Sequence, residues 1–235
     1  SLLQYVYGAE RVVIGVEANK PDAIALLQKQ CANTPVEVLP LQVKYPQGAE
    51  KQLITAATGR EVPSGGLPMD VGVAVHNVST AAAVTDAVML GRPLIERVCT
   101  VTGPAIKEPK NLRVRIGMPL SHLVEVCGGL VEDPGKIILG GPMMGFTQVG
   151  FDVPVVRGTS GLLLLREEDV TNNPEGPCIR CARCVQACPM NLLPTAIAAY
   201  ARRSLVEETE EYCAMDCIEC GSCSYVCPAN IPLVQ

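Results

Sequence analysis

Eight cysteines in two runs of one spacing restrict this chain more than any other feature. Cys178-x2-Cys181-x2-Cys184-x3-Cys188 is followed by Pro189, and Cys217-x2-Cys220-x2-Cys223-x3-Cys227 by Pro228. Two-residue gaps wrap the backbone closely around one cubane and let its amide N–H groups point at the sulfides. The fourth cysteine, just before proline, projects away and ligates the other cluster. The spacing therefore predicts two 4Fe–4S clusters with crossed ligands. Cys178, Cys181, Cys184 and Cys227 would hold one; Cys217, Cys220, Cys223 and Cys188 would hold the second. Zinc sites pair two C-x2-C units and seldom end in Cys-Pro. A disulfide framework fits short secreted chains, not one of this length. A chain so equipped moves single electrons.

At 235 residues the chain has room for more than one core, at ~100–150 residues per domain. Hydrophobic residues make up 48%, yet there is no Trp and Phe occurs only twice, so the cores are aliphatic. A net charge of −5 and the lack of a basic run with interleaved aromatics argue against nucleic acid as a partner. No apolar stretch approaches the ~18 residues that span a bilayer. So many thiolates ready for metal imply a reducing compartment, most simply the cytoplasm. The opening Ser1-Leu2-Leu3 runs within a dozen residues into a strand-like segment and reads as a piece of something longer.

Along the chain, the apolar run 12–16 suits a buried parallel strand. Asn19 is placed to cap the next helix and Pro21 to sit in its first turn, with Ile24, Leu27 and Cys31 on one face. A second strand is expected at 36–39 and a helix marked by Ala49, Leu53 and Ala57. A third strand is expected at 71–75, then a helix carrying Ala83, Ala87 and Leu90. This alternation predicts an α/β layer over residues 1–93. From 94 to 165 the pattern changes. Arg97, Thr100 and the run 112–116 alternate as in a sheet with one wet face. A short helix opens at Pro119 and Ser121, with Leu120, Leu123 or Val124, and Cys127 on one side. Strands follow at 136–139 and 161–165, suggesting a small β-grasp-like α+β module. Residues 166–169 and 172–174 form a polar hinge into a third domain, 166–235. There Leu193, Ile197 and Tyr200 share a helical face, and Ser204-x-x-Glu207 has the form of a capping box. The third domain is thus expected to be helical and ferredoxin-like, with two helices between its cluster loops.

Several longer stretches carry a family resemblance. They are Gly8-Ala9-Glu10-Arg11-Val12-Val13-Ile14-Gly15-Val16-Glu17, Tyr45-Pro46-Gln47-Gly48-Ala49-Glu50-Lys51-Gln52-Leu53-Ile54 and Asn77-Val78-Ser79-Thr80-Ala81-Ala82-Ala83. Gly140-Gly141-Pro142-Met143-Met144-Gly145 and Asp216-Cys217-Ile218-Glu219-Cys220-Gly221 continue them. Over its whole length the chain resembles the C-subunit family of the Rnf ion-translocating electron-transport complex. The resemblance implies a partial Rossmann-like flavin domain of the complex I flavoprotein type, an SLBB-like β-grasp module and a ferredoxin-like domain. It also implies FMN and NAD(H) as cofactors of the full-length protein. Gly48 and Glu50 match the family's loop near flavin and nicotinamide. Asn77 and Thr80 match its Asn-Val-x-Thr segment near the FMN phosphate and ribityl chain, where a helix N-terminus stabilises a phosphate. The family's Gly-rich flavin loop has no counterpart from residue 1 onward, which implies retained clusters and lost flavin affinity in this stretch. Implied partners are the other subunits of a membrane-bound complex, with NADH and ferredoxin as redox partners. The implied location is peripheral, on the cytoplasmic face of the bacterial inner membrane. The second resemblance is to soluble flavin and iron–sulfur reductases such as the cobalamin reductase of propanediol metabolism. A third reading is a ferredoxin-like carrier joined to a ligand-binding module.

Plainer roles stand beside these. Asn77 and Thr80 are also placed to cap a helix starting near Ala81, and Glu50 to stabilise a helix dipole. Gly140-Gly141-Pro142 reads as a turn, Met143 and Met144 as core or interface filler, His76 and His122 as structural. Cys31, Cys99 and Cys127 read as small buried hydrophobes. Arg180, Arg183, Arg202 and Arg203 lie near the cluster region, where positive charge favours a reduced cluster.

Overall fold

The computed structural model describes residues 2–170 and 173–234. Its backbone falls into two compact units: one runs to Thr85 and includes Cys213–Asp216, the other holds Asp86–Tyr212 and Cys217 onward.

The first unit begins with α1 (Leu2–Tyr7), β1 (Val12–Glu17), α2 (Pro21–Cys31) and β2 (Val36–Leu41). β1 and β2 pair in parallel, Val12 opposite Val36 through Glu17 opposite Leu41, with α2 as the crossover that parallel pairing requires. Pro21 opens α2 as expected, because its missing N–H is one that a helix start leaves unbonded anyway. Asn19 does not cap it: the N-cap is Lys20, whose ammonium instead binds the Asn19 Oδ1 at 3.1 Å. α3 (Glu50–Thr58) buries Ile54. A Cβ on Gly15 of β1 would stand 2.8 Å from Leu41 Cδ1 and 2.9 Å from Leu53 Cδ1, so glycine is what lets both leucines close on the strand.

The strand expected at 71–75 is not formed. Pro68–Val71 is a 3-10 turn instead, and the Val71 carbonyl is taken at 2.7 Å by the Arg60 guanidinium rather than by a neighbouring strand. β-branched residues alone therefore misled; the proline start and the arginine partner decide this segment. α4 (Val78–Leu90) follows, carrying Ala83, Ala87 and Leu90.

The second unit contains a five-stranded sheet built from β3 (Glu96–Thr102), β4 (Lys110–Arg115), β5 (Lys136–Leu139), β6 (Phe146–Gln148) and β7 (Gly161–Leu165). The strand order is β4-β3-β7-β5-β6. β3 and β7 run parallel at the centre, and the other neighbours are antiparallel. α5 (Leu120–Val126) packs on one face with Leu120, Leu123 and Val124 buried. The strands alternate to match: Cys99 and Val101 of β3 and Leu162 and Leu164 of β7 face the same core. Each buried leucine contributes about 1.5–3 kcal/mol. On the wet face Thr100 donates to Asn111 across the β3–β4 pair at 2.8 Å. Lys110 binds the Val126 carbonyl at 3.0 Å, meeting the negative end of α5. Cys99 and Cys127 are fully buried in this core, and burial pushes the Cys99 thiol up to about 11.

Beyond β7, Arg166 pairs with Asp169 at 3.0 Å and Glu168 at 2.7 Å. Of the polar hinge, Asn172 lies outside the described residues. The cysteine region holds α6 (Arg183–Ala187), α7 (Pro194–Ala201), α8 (Val206–Glu211) and α9 (Ser222–Tyr225). The Ser204 capping box is not made. The N-cap of α8 is Leu205, with no side-chain cap, and Ser204 adopts a left-handed turn at φ 58 whose N–H bonds the Ala201 carbonyl. Serine here closes the end of α7 and does not open α8.

Candidate iron–sulfur centres

Laying Cys178 on Cys217 shows that the two runs repeat in backbone as well as in spacing. Arg180 and Glu219 are both left-handed, as are Ala182 and Gly221, and Asn191 and Asn230. α6 and α9 begin at matched residues, Arg183 and Ser222. Asn191 and Asn230 close matched turns onto the carbonyls of Cys188 and Cys227. Alternation of right- and left-handed residues turns successive N–H groups toward one side, a concavity suited to anions and to cluster sulfides.

The chain ahead of the first run lies along the end of the second: Gly176 N–H donates to the Ala229 carbonyl at 2.8 Å. That bond places Cys227 beside Cys178, Cys181 and Cys184, and the four line one cavity of about 590 Å3. Arg180, Ile179 and Ala198 line it as well. Cys188, Cys217, Cys220 and Cys223 line a second, tighter cavity of about 40 Å3 with Met190, Leu192 and Ile218. Cys184, Cys223, Ala198, Ile231 and Leu233 form the small apolar core behind them.

Donors already point at sulfur. Leu192 N–H approaches Cys188 Sγ at 3.4 Å, and Glu219 N–H approaches Cys217 Sγ at 3.4 Å. Burial holds the thiols of Cys184, Cys217 and Cys223 above the ordinary thiol range, with neighbouring cysteines adding to it. Such thiols deprotonate on binding metal, so loading releases protons. Among the described residues no three His, Cys, Asp or Glu side chains come close enough to hold a single ion. Each group of four thiols lines one cavity, and amide donors reach the sulfur of Cys188 and Cys217, so the residues present fit cubane clusters.

The flavin-side candidates, Gly48, Glu50, Asn77 and Thr80, lie in the first unit. Gly48 is in an exposed turn with open space around its Cα, and Glu50 is the first residue of α3. Asn77 caps α4: its Oδ1 accepts the Ser79 N–H at 2.9 Å, one turn earlier than a start at Ala81. Thr80 N–H bonds the Asn77 carbonyl at 3.0 Å. His76 accepts or donates at 2.9 Å to the Tyr7 hydroxyl and stacks on its ring, and His122 pairs with Glu125.

Three sets of contacts escape sequence reasoning. Arg202, at the end of α7 on the rim of the larger cavity, grips both carboxylate oxygens of Glu175. Asp216, grouped with the first unit, lies 3.7 Å from Lys51 and accepts the Gly65 N–H at 3.3 Å. The Ser64 hydroxyl above all, then that N–H and Lys51, hold its carboxyl below the usual carboxylate range. Met143 rests against Gly221. Only the last had a signal: glycine in one repeat where the other has alanine.

Residues 1–86 match the family described as the Nuo51 FMN-binding domain, residues 98–147 the SLBB domain and residues 177–231 the 4Fe-4S dicluster domain. The chain is 51% identical over 216 residues to the C subunit of the proton-translocating ferredoxin:NAD(+) oxidoreductase complex of Clostridium ljungdahlii, covering 92% of this chain and 47% of the relative. It is 52% identical over 210 residues to the C subunit of the Na(+)-translocating ferredoxin:NAD(+) oxidoreductase complex of Acetobacterium woodii, covering 89% and 47%. Against the C subunit of the ion-translocating oxidoreductase complex of Rhodobacter capsulatus it is 46% identical over 232 residues, covering 97% and 44%. The chain thus spans less than half the length of these relatives.

Proposed function

Because the chain belongs to the C-subunit family of ion-translocating oxidoreductase complexes, we propose that it carries electrons singly through two 4Fe–4S clusters within such a complex. The observation that carries this reading is the pair of four-cysteine groups, each drawing its fourth thiol from the opposite run. Cys178, Cys181, Cys184 and Cys227 hold one cluster, and Cys217, Cys220, Cys223 and Cys188 the other. Bound clusters supply one-electron transfer. The residues position the thiolates, direct amide donors at sulfur and keep water from the inner face.

In the full-length protein the first unit would contribute to an FMN site. Asn77 and Thr80, at the start of α4, face the phosphate of the flavin, where a helix N-terminus stabilises negative charge. Gly48 and Glu50 serve the flavin and nicotinamide side. NADH and a ferredoxin are the redox partners, and the other subunits anchor the protein to the cytoplasmic face of the membrane. Among the described residues no helix is long and apolar enough to cross a membrane, so attachment through partners suits it.

Anaerobic purification with iron, sulfide and flavin counted together tests the reading. About eight irons per chain are expected, with magnetic coupling between two reduced clusters in electron paramagnetic resonance. A colourless protein without iron, or one loaded with zinc, would defeat it.

A further inference from the structure

The two runs share spacing and backbone, so positions where they differ act as controls on each other. Gly221 and Ala182 occupy matched left-handed positions, at φ 76 and φ 60. Ala182 shows that this turn accepts a Cβ, at a cost of about 1–2 kcal/mol. The backbone alone therefore does not explain glycine at 221. Space does. A Cβ on Gly221 would stand 3.1 Å from the Met143 carbonyl oxygen and 3.6 Å from its Cε. Met143 lies in the turn between β5 and β6, within the same compact unit as Gly221.

Burial follows that contact. Cys181, Ala182 and Arg183 are exposed, whereas their matches Cys220 and Ser222 are buried and Gly221 is half-buried. Ser222 stands where the first run has Arg183, and only 8% of its surface is exposed. Its Oγ lies 3.4 Å from Cys220 Sγ. With a thiol, Cys220 donates to that oxygen. With a thiolate on iron the hydroxyl proton is the only one available, so Ser222 becomes the donor.

We propose that Met143 and Ser222 are positioning residues for the second cluster. Met143 closes the Cys220–Gly221–Ser222 turn to water, and Ser222 donates its hydroxyl to the Cys220 thiolate. The inference rests on the reading that both four-cysteine groups hold clusters. A donor to ligand sulfur stabilises the reduced cluster and raises its potential. The first run has no hydroxyl at the matched position and no such lid, so the two clusters are tuned by different means.

The test uses the full-length protein, prepared anaerobically, with iron counted first and each cluster's potential followed by electron paramagnetic resonance. A Cys217→Ser protein assigns the signals by losing the second cluster's. With iron content intact, Ser222→Ala should lower the potential of the second cluster and leave the first in place, while Ser222→Thr keeps both. Gly221→Ala should displace Met143 and shorten the second cluster's lifetime in air several-fold, without changing the first. An unchanged second potential in Ser222→Ala, or equal shifts in both clusters, overturns the proposal. If Ser222→Ala loses iron, Gly221→Ala decides: an unaltered air lifetime overturns it. A wild-type protein without two clusters would instead overturn the reading beneath.

Discussion

The first cysteine run is open along its middle, and the second is covered. Both have the same spacing, the same three left-handed residues and the same closing turn after Cys-Pro. Ile179 in the first is 66% exposed, with Arg180 and Arg183 exposed around it. In the second, Cys220 and Ser222 are buried where their matches Cys181 and Arg183 are exposed. Local spacing thus determines how thiols converge, while the environment they converge in comes from other parts of the chain. For the proposed clusters this difference matters, because exposure and hydrogen bonding to sulfur set potentials that cluster type alone does not.

The largest effects should come from breaking the exchange of ligands between the runs. Cys227→Ser removes the fourth thiol of the first run's cluster, so iron should fall from about eight to about four per chain and the second run's signal should survive. Cys188→Ser should do the reverse. Loss of the second run's cluster in Cys227→Ser and of the first run's in Cys188→Ser would show that the runs do not trade ligands. Next in size is the contrast in thiol access. In metal-free protein, alkylation mapped by mass spectrometry should reach Cys181 well before its match Cys220, while the exposed pair Cys178 and Cys217 react alike, and Cys99 should react last, since burial raises its thiol to about 11. Equal rates at Cys181 and Cys220 would remove the asymmetry.

A smaller, sharper contrast comes from exchanging the matched small residues. Gly221→Ala should destabilise by about 1–3 kcal/mol, because the added methyl meets a backbone carbonyl. Ala182→Gly should be neutral or stabilising by about 1 kcal/mol, since it relieves a left-handed alanine with no lid above it. Thermal unfolding of the loaded protein checks both signs.

What could be read in the sequence was what depends on near neighbours. The alternation at Cys99, Val101, Leu162 and Leu164 announces a sheet with one buried face, and the helical face of Leu120, Leu123 and Cys127 announces its cover. Pro21 marks a helix start through its own ring. Failures arose where a distant partner decides. Residues 71–75 have strand composition, but Arg60 claims the Val71 carbonyl. Asn19 and Ser204 have cap chemistry, yet Lys20 occupies one and a left-handed turn takes the other. The eight cysteines were conspicuous; Met143 was not, because its role shows only once Gly221 is beside it. The Ser64, Gly65 and Lys51 contacts of Asp216 likewise join residues far apart in sequence.

The least effect is expected at the rim of the open cavity. Arg202 holds Glu175 through two nitrogens, at 2.5 and 3.2 Å, which is good fork geometry. Both side chains are nonetheless more than a third exposed, at 46% and 41%, so water and salt screen the pair. Arg202→Gln should therefore cost only about 0.2–1 kcal/mol, and less as salt is added. Its value lies in what it does to the clusters. Glu175 and Arg202 both border the first cavity, and Glu175 lies one residue before the Gly176 link to Ala229. If the pair steadies that crossing, the variant should speed loss of the first cluster in air and leave the second unchanged. An effect confined to the second cluster would contradict the placement of Cys227 in the first.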